Sequence, residues 1–199
     1  MTERPKRENW KDSPPKNWAE REAYRLSRVI LDLREGRSMQ WLSDRTDELG
    51  HRVSRSVLSD LETGRRRYLT TVEMTMISAA LNISPVTLLY PGPYDSTVEL
   101  IPHVELTQLR AAEWFSGNGF YRDHRDEKDG NKAEQLWADA DAWVKSRSKL
   151  QGWRDLETTK VHRYSLMKRG DFDQIREQIE FYDKRIEQLK LDLGVGDDV

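Results

Sequence analysis

A short polar stretch in the first third of the chain carries side chains suited to hydrogen bonding with nucleic-acid bases. Ser54 suits the N-cap of a helix, because its hydroxyl can accept from a free amide of the first turn. Apolar residues occupy one side of the predicted helix. The other side holds residue types that hydrogen-bond to base edges: Arg55, Ser56, Ser59 and Asp60.

The end of this predicted helix is strongly basic. Gly64 suits a left-handed helix end, and Arg65, Arg66 and Arg67 follow it directly. If the helix sat in a major groove of DNA, three positive charges here would lie beside backbone phosphates. The segment therefore predicts a base-reading helix flanked by phosphate-binding arginines.

Composition limits the classes of protein that need to be considered. The 199 residues are 36% apolar and 34% charged, which fits long solvated helices better than a sheet protein. The absence of cysteine excludes disulfides, thiolate catalysis and cysteine-based zinc sites, and favours a cytoplasmic protein. No apolar run approaches the roughly 20 residues that span a bilayer, and no signal peptide is evident. The net charge of −2 divides into +4 for residues 1–69 and −6 for residues 70–199.

Hydrophobic periodicity, together with capping residues and glycine or proline breaks, predicts an all-α protein with two folded parts. Residues 1–18 are rich in charge and proline and are predicted to be a disordered basic arm, alternatively one that touches phosphates or a minor groove. Five short helices are predicted in residues 19–93, and the expected N-caps of the last four are Ser38, Ser54, Thr70 and Ser84. Residues 94–106 are predicted to be a linker, and residues 107–199 a helical C-terminal domain.

The C-terminal domain is predicted to be a helical hairpin or bundle. Its last helix carries apolar residues at alternating spacings of three and four, namely Phe172, Ile175, Ile179, Tyr182, Ile186, Leu189 and Leu193. In a parallel homodimer Arg185 would face Lys190 of the partner, so an intramolecular antiparallel hairpin is preferred. A second surface for homodimer formation stays open. Tryptophans 137, 143 and 153 have helical spacing and are predicted to lie in the core rather than to stack on bases.

Residues 20–90 resemble the lambda-repressor-like DNA-binding family, also called Cro/C1-type or XRE. The matching residues are Gln40 and Leu42 in the second helix, Ser54, Leu58, Ser59, Leu61, Glu62 and Gly64 in the third, and Leu81 with the segment 84–89. The chain departs from the family at Ser43, where a small alanine is usual. It also has three more residues before Gly50, in the 47–49 region.

The resemblance implies a helix-turn-helix domain with named contacts to double-stranded DNA. It implies that helix 54–63 enters the major groove with Arg55, Ser56, Ser59 and Asp60 facing bases. It implies phosphate contacts from Gln40, Arg52, Ser54, Thr63, Arg65, Arg66 and Arg67. Glu62 is expected to orient its neighbours rather than to read a base.

These observations predict a sequence-specific transcriptional regulator that acts as a repressor, similar to phage or prophage immunity repressors, in the cytoplasm with the nucleoid. No cofactor, metal, membrane or small-molecule ligand is expected: the four histidines are scattered, and no phosphate loop or nucleophile motif is present. One alternative is an antitoxin-like module whose C-terminal helices bind a protein partner. The other is an enzyme with an unrecognised C-terminal site, which the lack of clustered titratable residues disfavours.

Overall fold

The computed structural model describes residues 8–122, 129–168 and 172–196, with no side chains for residues 172–174. Within these described ranges there are eight helices and one two-stranded sheet, and the chain divides into two compact units, Met1–Tyr121 and Arg122–Val199. The predicted helical class is confirmed, because helices dominate both units. The sheet was not expected in an all-α protein.

The first five helices begin where side-chain oxygens can cap them. They are α1 (Trp18–Leu33), α2 (Met39–Glu48), α3 (Arg55–Thr63), α4 (Thr71–Leu81) and α5 (Pro85–Leu89). The predicted N-caps at Ser38, Ser54, Thr70 and Ser84 each accept a hydrogen bond from the first turn of the helix they precede. Thr70 and Glu73 also bond reciprocally, as a capping box does.

The core of these helices is made by apolar residues at helical spacing. Leu42 of α2, Ile77 of α4 and Leu88 of α5 are fully buried, with Leu58 of α3 beside them. Because α3 has only nine residues, it is too short to be stable alone and depends on this packing. The core therefore sets the position of α3.

The segment predicted as a linker, residues 94–106, contains an antiparallel hairpin instead. Strands β1 (Thr97–Ile101) and β2 (Val104–Thr107) pair, with His103 at positive φ in the turn. Val98 and Leu100 alternate with more exposed residues and pack on a second apolar cluster. The period-two pattern, together with this tertiary contact, makes the segment a strand pair.

Helix α6 (Gln108–Phe115) belongs to the first unit, not to the C-terminal domain as predicted. Its Ala111 is fully buried in the cluster that includes β1. Phe115 contacts Tyr90 of α5 edge to face, with ring centroids 6.2 Å apart. The boundary between the units therefore follows Tyr121 rather than residue 106.

The prediction of a disordered arm is wrong for the described part of residues 1–18, and residues 1–7 lie outside the described residues. Asn9 accepts hydrogen bonds from the amides of Lys11 and Asp12 through its side chain, which forms a turn. Trp10 packs against Tyr24 of α1, with ring centroids 5.3 Å apart. The segment is ordered because this aromatic residue finds a tertiary partner that the local composition does not reveal.

The second unit is a helical hairpin, as the intramolecular alternative predicted. Helix α7 (Gly130–Met167) has 38 residues and α8 (Phe172–Leu193) has 22. Gly152 lies inside α7, where a Cβ would come within 2.9 Å of Leu193 Cδ2. This glycine therefore allows close packing of α8.

Burial in the hairpin follows only part of the predicted core. Among the seam residues of α8 with described side chains, Ile175 and Leu189 are buried. Trp137 is 55% exposed, so its prediction as a core residue is wrong. No described helix is both long and apolar enough to cross a membrane.

The position of Leu42 makes the first unit sensitive to a cavity in α2. Leu42→Ala is expected to lower the free energy of unfolding by about 2–5 kcal/mol, since it removes a fully buried side chain. Leu49→Ala is the matched control at the end of the same helix, because Leu49 is 45% exposed. Urea unfolding followed by circular dichroism measures both. Equal losses for the two variants would contradict the assignment of the core.

Candidate nucleic-acid interface

Helix α3 is held by its apolar side and its N-cap. Leu58 and Leu61 are each 5% exposed and face the body of the unit. The Ser54 hydroxyl accepts from the Val57 amide at 3.3 Å. These contacts leave the opposite side of the helix turned away from the core.

The outward side begins with two exposed polar residues. Arg55 is exposed and forms no ion pair with any residue that the structure describes. Ser56 is also exposed, and its hydroxyl lies 2.8 Å from that of Ser54. Both side chains therefore present hydrogen-bonding groups to solvent in the first turn of α3.

The other two predicted base contacts lie further along α3 and are less open. Ser59 is half-buried, and its carbonyl accepts from the Thr63 hydroxyl at 2.7 Å. Asp60 lies 3.5 Å from Arg65 in an ion pair. The Asp60 carbonyl also accepts the amides of Gly64 and Arg66, which ends the helix. Asp60 therefore has an internal role in addition to any contact with a base.

The predicted phosphate contacts on the α2 side come together through one carboxylate. Gln40 Nε2 donates to Asp44 Oδ1 at 2.7 Å, and an Arg52 guanidinium nitrogen donates to the same oxygen at 3.1 Å. Arg52 Nε also donates to the Ser43 hydroxyl at 3.3 Å. Gln40 and Arg52 are thus neighbours on an exposed surface, with their donors partly satisfied by protein.

The turn between α2 and α3 is fixed by a buried hydroxyl. Thr46 is fully buried, and its Oγ1 accepts from the Val53 amide at 2.9 Å. Gly50 takes positive φ in the same turn. The longer connection between the helices therefore has a defined path, with α2 extending to Glu48.

The three consecutive arginines have different roles. Arg66 forms two hydrogen bonds with Glu73 of α4, at 2.5 and 3.0 Å, and its side chain is only 17% exposed. Arg67 pairs with Glu20 at 2.8 Å and donates to the Ser13 carbonyl at 2.7 Å. Both guanidinium groups therefore connect elements of the fold, which differs from their expected place against phosphates.

Arg65 keeps the outward position that was predicted for all three arginines. Its side chain is 48% exposed, and Asp60 lies 3.5 Å away. The difference arises because the two following arginines turn back toward acidic residues of α4 and α1. Sequence alone cannot separate them, since their partners are seven residues or more away.

Arg34 and Trp10 brace α3 from outside it, by contacts with Glu62 and Thr63. Glu62 of α3 accepts from Arg34, the residue that follows α1, at 2.9 Å, in agreement with its expected orienting role. Trp10 was missed by the sequence analysis; its amide donates to the Thr63 carbonyl at 2.9 Å. The only local signal for it was a large aromatic residue inside an otherwise polar segment.

The Arg66–Glu73 pair has an electrostatic consequence for folding. Burial raises the pKa of Glu73, but the hydrogen bonds from Arg66 and Thr70 outweigh it and hold the pKa below the ordinary 4.5. Burial likewise lowers the pKa of Arg66, and its hydrogen bonds and charge interaction with Glu73 outweigh this and raise it. As pH falls, Glu73 is therefore protonated in the unfolded chain at a higher pH than in the folded chain.

We expect the first unit to lose stability as pH falls. A carboxyl with a depressed folded-state pKa stabilises the fold above its ordinary value of 4.5, and this contribution is lost as pH drops through the lower folded-state pKa. Glu73→Gln should reduce stability at neutral pH and flatten the loss in acid. The exposed Glu105→Gln is the control and should keep the wild-type slope. Thermal unfolding from about pH 6 to about pH 3 measures the effect; equal slopes for Glu73→Gln and wild type would contradict it.

Comparison of the chain with protein-family models, curated proteins and solved structures finds no match. The solvent-exposed groups around α3 are those of its first turn, Arg55 and Ser56, together with the half-exposed side chains of Arg52 and Arg65.

Proposed function

We propose that this chain is a sequence-specific DNA-binding protein that inserts α3 into the major groove. The observation that carries the proposal is the exposed first turn of α3, where Arg55 has no ion-pair partner among the described residues. An arginine in the first turn of such a helix can donate two hydrogen bonds to the N7 and O6 atoms of a guanine. Beside it, the Ser56 hydroxyl can donate to or accept from a base.

The arrangement of α2, the turn and α3 supports a helix-turn-helix reading of the domain. Each helix is preceded by a serine that caps it, and a buried threonine holds the turn between them. The residues that resemble the lambda-repressor-like family include Gln40, Leu58 and Gly64. The resemblance adds the expectation that α2 crosses the DNA backbone while α3 reads the bases.

Contacts with phosphates are assigned to the cations that remain open. Arg65 lies just beyond the end of α3, and Arg52 lies just before its start, each about half exposed. Gln40 at the start of α2 is exposed as well. Phosphate oxygens would displace the carboxylates of Asp44 and Asp60 from these groups. Binding should therefore weaken with salt, because salt screens the attraction between these cations and the phosphates.

Transcriptional repression is the role that fits such a protein best. A compact domain that occupies a specific duplex blocks other proteins from that site without any catalytic group. The resemblance to phage and prophage repressors, which act on DNA in the cytoplasm, supports the same role. We therefore propose repression by operator occupancy.

The helical hairpin favours a partner-binding role for the second unit. Val161, Tyr164 and Phe181 are each about 60% exposed, and large apolar residues in such numbers favour a protein contact. Formation of a homodimer would place two α3 helices on a two-fold symmetric operator. The antitoxin-like alternative uses the same surface for a different protein.

Loss of the first-turn side chains should abolish discrimination between sequences. Duplexes are first selected from a random library with the wild-type chain, and their affinities are then measured by titration. The double variant Arg55→Ala, Ser56→Ala is expected to lose about 1–3 kcal/mol of preference, or about 5- to 150-fold, for the selected duplex over a scrambled one. Weak, salt-sensitive binding should remain.

The matched control is Arg110→Ala, which removes one exposed arginine from α6 in the same unit. This variant should keep the wild-type preference and lose only a little overall affinity. If the double variant still prefers the selected duplex as strongly as the wild type, α3 does not read the bases through this turn.

Arginines 65, 66 and 67 should separate in their effects on salt dependence and on stability. The slope of log affinity against log salt is negative, and Arg65→Ala is expected to make it less steep by about 0.9, the value for one lost phosphate contact. Arg66→Ala and Arg67→Ala should mainly lower the unfolding temperature, because their guanidinium groups join elements of the fold. Affinity titrations at several salt concentrations and thermal melts distinguish the variants. An unchanged slope for Arg65→Ala would remove it from the interface.

A further inference from the structure

The last carbonyls of α3 accept hydrogen bonds from groups outside the helix, and the Leu61 carbonyl also accepts the Gly64 amide at 3.3 Å. A helix end leaves carbonyl oxygens without partners inside the helix. Here Trp10 Nε1 donates to the Leu61 carbonyl at 3.4 Å, and the Trp10 amide donates to the Thr63 carbonyl at 2.9 Å. Arg28 of α1 donates to the Glu62 carbonyl at 2.5 Å. Three successive carbonyls of α3 are therefore held by the N-terminal segment and α1.

Gly64 brings the indole of Trp10 against the backbone at this end. It has a φ of +83°, which favours glycine at the helix end. A Cβ at position 64 would also lie 2.4 to 2.6 Å from ring atoms of Trp10. Gly64 is thus required twice, once for its own backbone conformation and once for the approach of the aromatic ring.

Arg67 also contacts the indole of Trp10. Its guanidinium carbon is 4.8 Å from the centroid of the Trp10 ring, a cation–π distance. The same guanidinium donates to the Ser13 carbonyl and to Glu20. The segment of residues 9–13 is therefore fixed at Trp10 and again at Ser13.

We propose that Trp10 is a positioning residue that holds the C-terminal turn of α3 in the orientation needed for reading DNA. This inference rests on the proposed function and goes beyond it. Trp10 acts through the carbonyls of Leu61 and Thr63 and through Gly64, and it makes no contact with a base. Hydrogen bonds to base edges depend steeply on distance and angle, so freeing this end of a nine-residue helix weakens specific contacts more than phosphate attraction.

The test compares Trp10→Ala with Trp18→Ala in the full chain. Trp18 is a matched control, because it is also half-buried near the N-terminus and donates its indole N–H to a carbonyl, that of Glu99 in β1, at 3.1 Å. Both variants lose an indole and one tertiary hydrogen bond. Only Trp10→Ala releases the end of α3.

The first measurement uses the free protein and needs no DNA. Amide hydrogen exchange reports local opening, and the amides of Gly64 and Arg66 both bond to the Asp60 carbonyl at the end of α3. In Trp10→Ala these amides should exchange about tenfold faster or more, while Trp18→Ala leaves them unchanged. Equal exchange rates in the two variants would overturn the positioning role whether or not the chain binds DNA.

The second measurement uses the duplex selected with the wild-type chain and a scrambled duplex, well below the unfolding temperature of every variant. Trp10→Ala should lower affinity for the selected duplex about tenfold with less than about twofold change for the scrambled one, and the salt slope should stay the same. Trp10→Phe, which keeps an aromatic ring over Gly64, should restore most of the preference. A less steep salt dependence for Trp10→Ala would mean that Trp10 itself contacts DNA. Equal losses on both duplexes would mean that Trp10 only stabilises the fold.

The two measurements separate failure of this inference from failure of the proposed function. If the wild-type chain selects no duplex, the proposed function fails, and hydrogen exchange alone still decides whether Trp10 holds α3. If the wild-type chain selects a duplex and Trp10→Ala binds it with unchanged preference, the positioning role is wrong and the DNA-binding function stands.

Discussion

The structure around α3 depends on one constraint: a helix of nine residues cannot maintain its own geometry in water. Its backbone bonds are too few to offset the conformational entropy of ordering, so its position has to come from contacts made by the rest of the unit. Those contacts are of two kinds. Leu58 and Leu61 bury the inner side of the helix, and Trp10 and Arg28 satisfy its terminal carbonyls. The outward side takes part in neither, which leaves it open for a ligand.

The charges near α3 follow from the same constraint. Of the three consecutive arginines, two are held by acidic residues on other helices, and the one between Gly64 and these two stays half exposed. Arg66 connects the end of α3 to the start of α4, so its charge stabilises the fold. Arg67 connects the N-terminal segment to α1. A cluster that resembles a phosphate-binding patch in sequence thus has two members that join elements of the fold and one, Arg65, that stays half exposed beside Asp60.

Prediction from sequence succeeded where the cause of the structure is local. Ser38, Ser54, Thr70 and Ser84 cap their helices because a hydroxyl and an amide three residues later are enough to define a helix start. It failed where the cause is distant in the chain. The β1–β2 hairpin is ordered by a cluster that includes Leu26 and Tyr90, and the N-terminal segment by α3. Neither partner is visible within a short window of sequence.

The candidate site shows the same division at the level of single residues. Arg55 and Ser56 are outward because the helical period and the apolar positions of α3 require it, and this was predictable. The burial of Arg66 and the role of Trp10 were not, because each depends on a residue from another element. It follows that positions 55 and 56 can change without disturbing the packing of the first unit, whereas changes at positions 10, 64, 66 and 67 remove contacts that join its elements. If α3 reads DNA, the chain can acquire a new target sequence through its first turn while its last turn stays fixed. A domain with this separation can vary in specificity at little cost in stability.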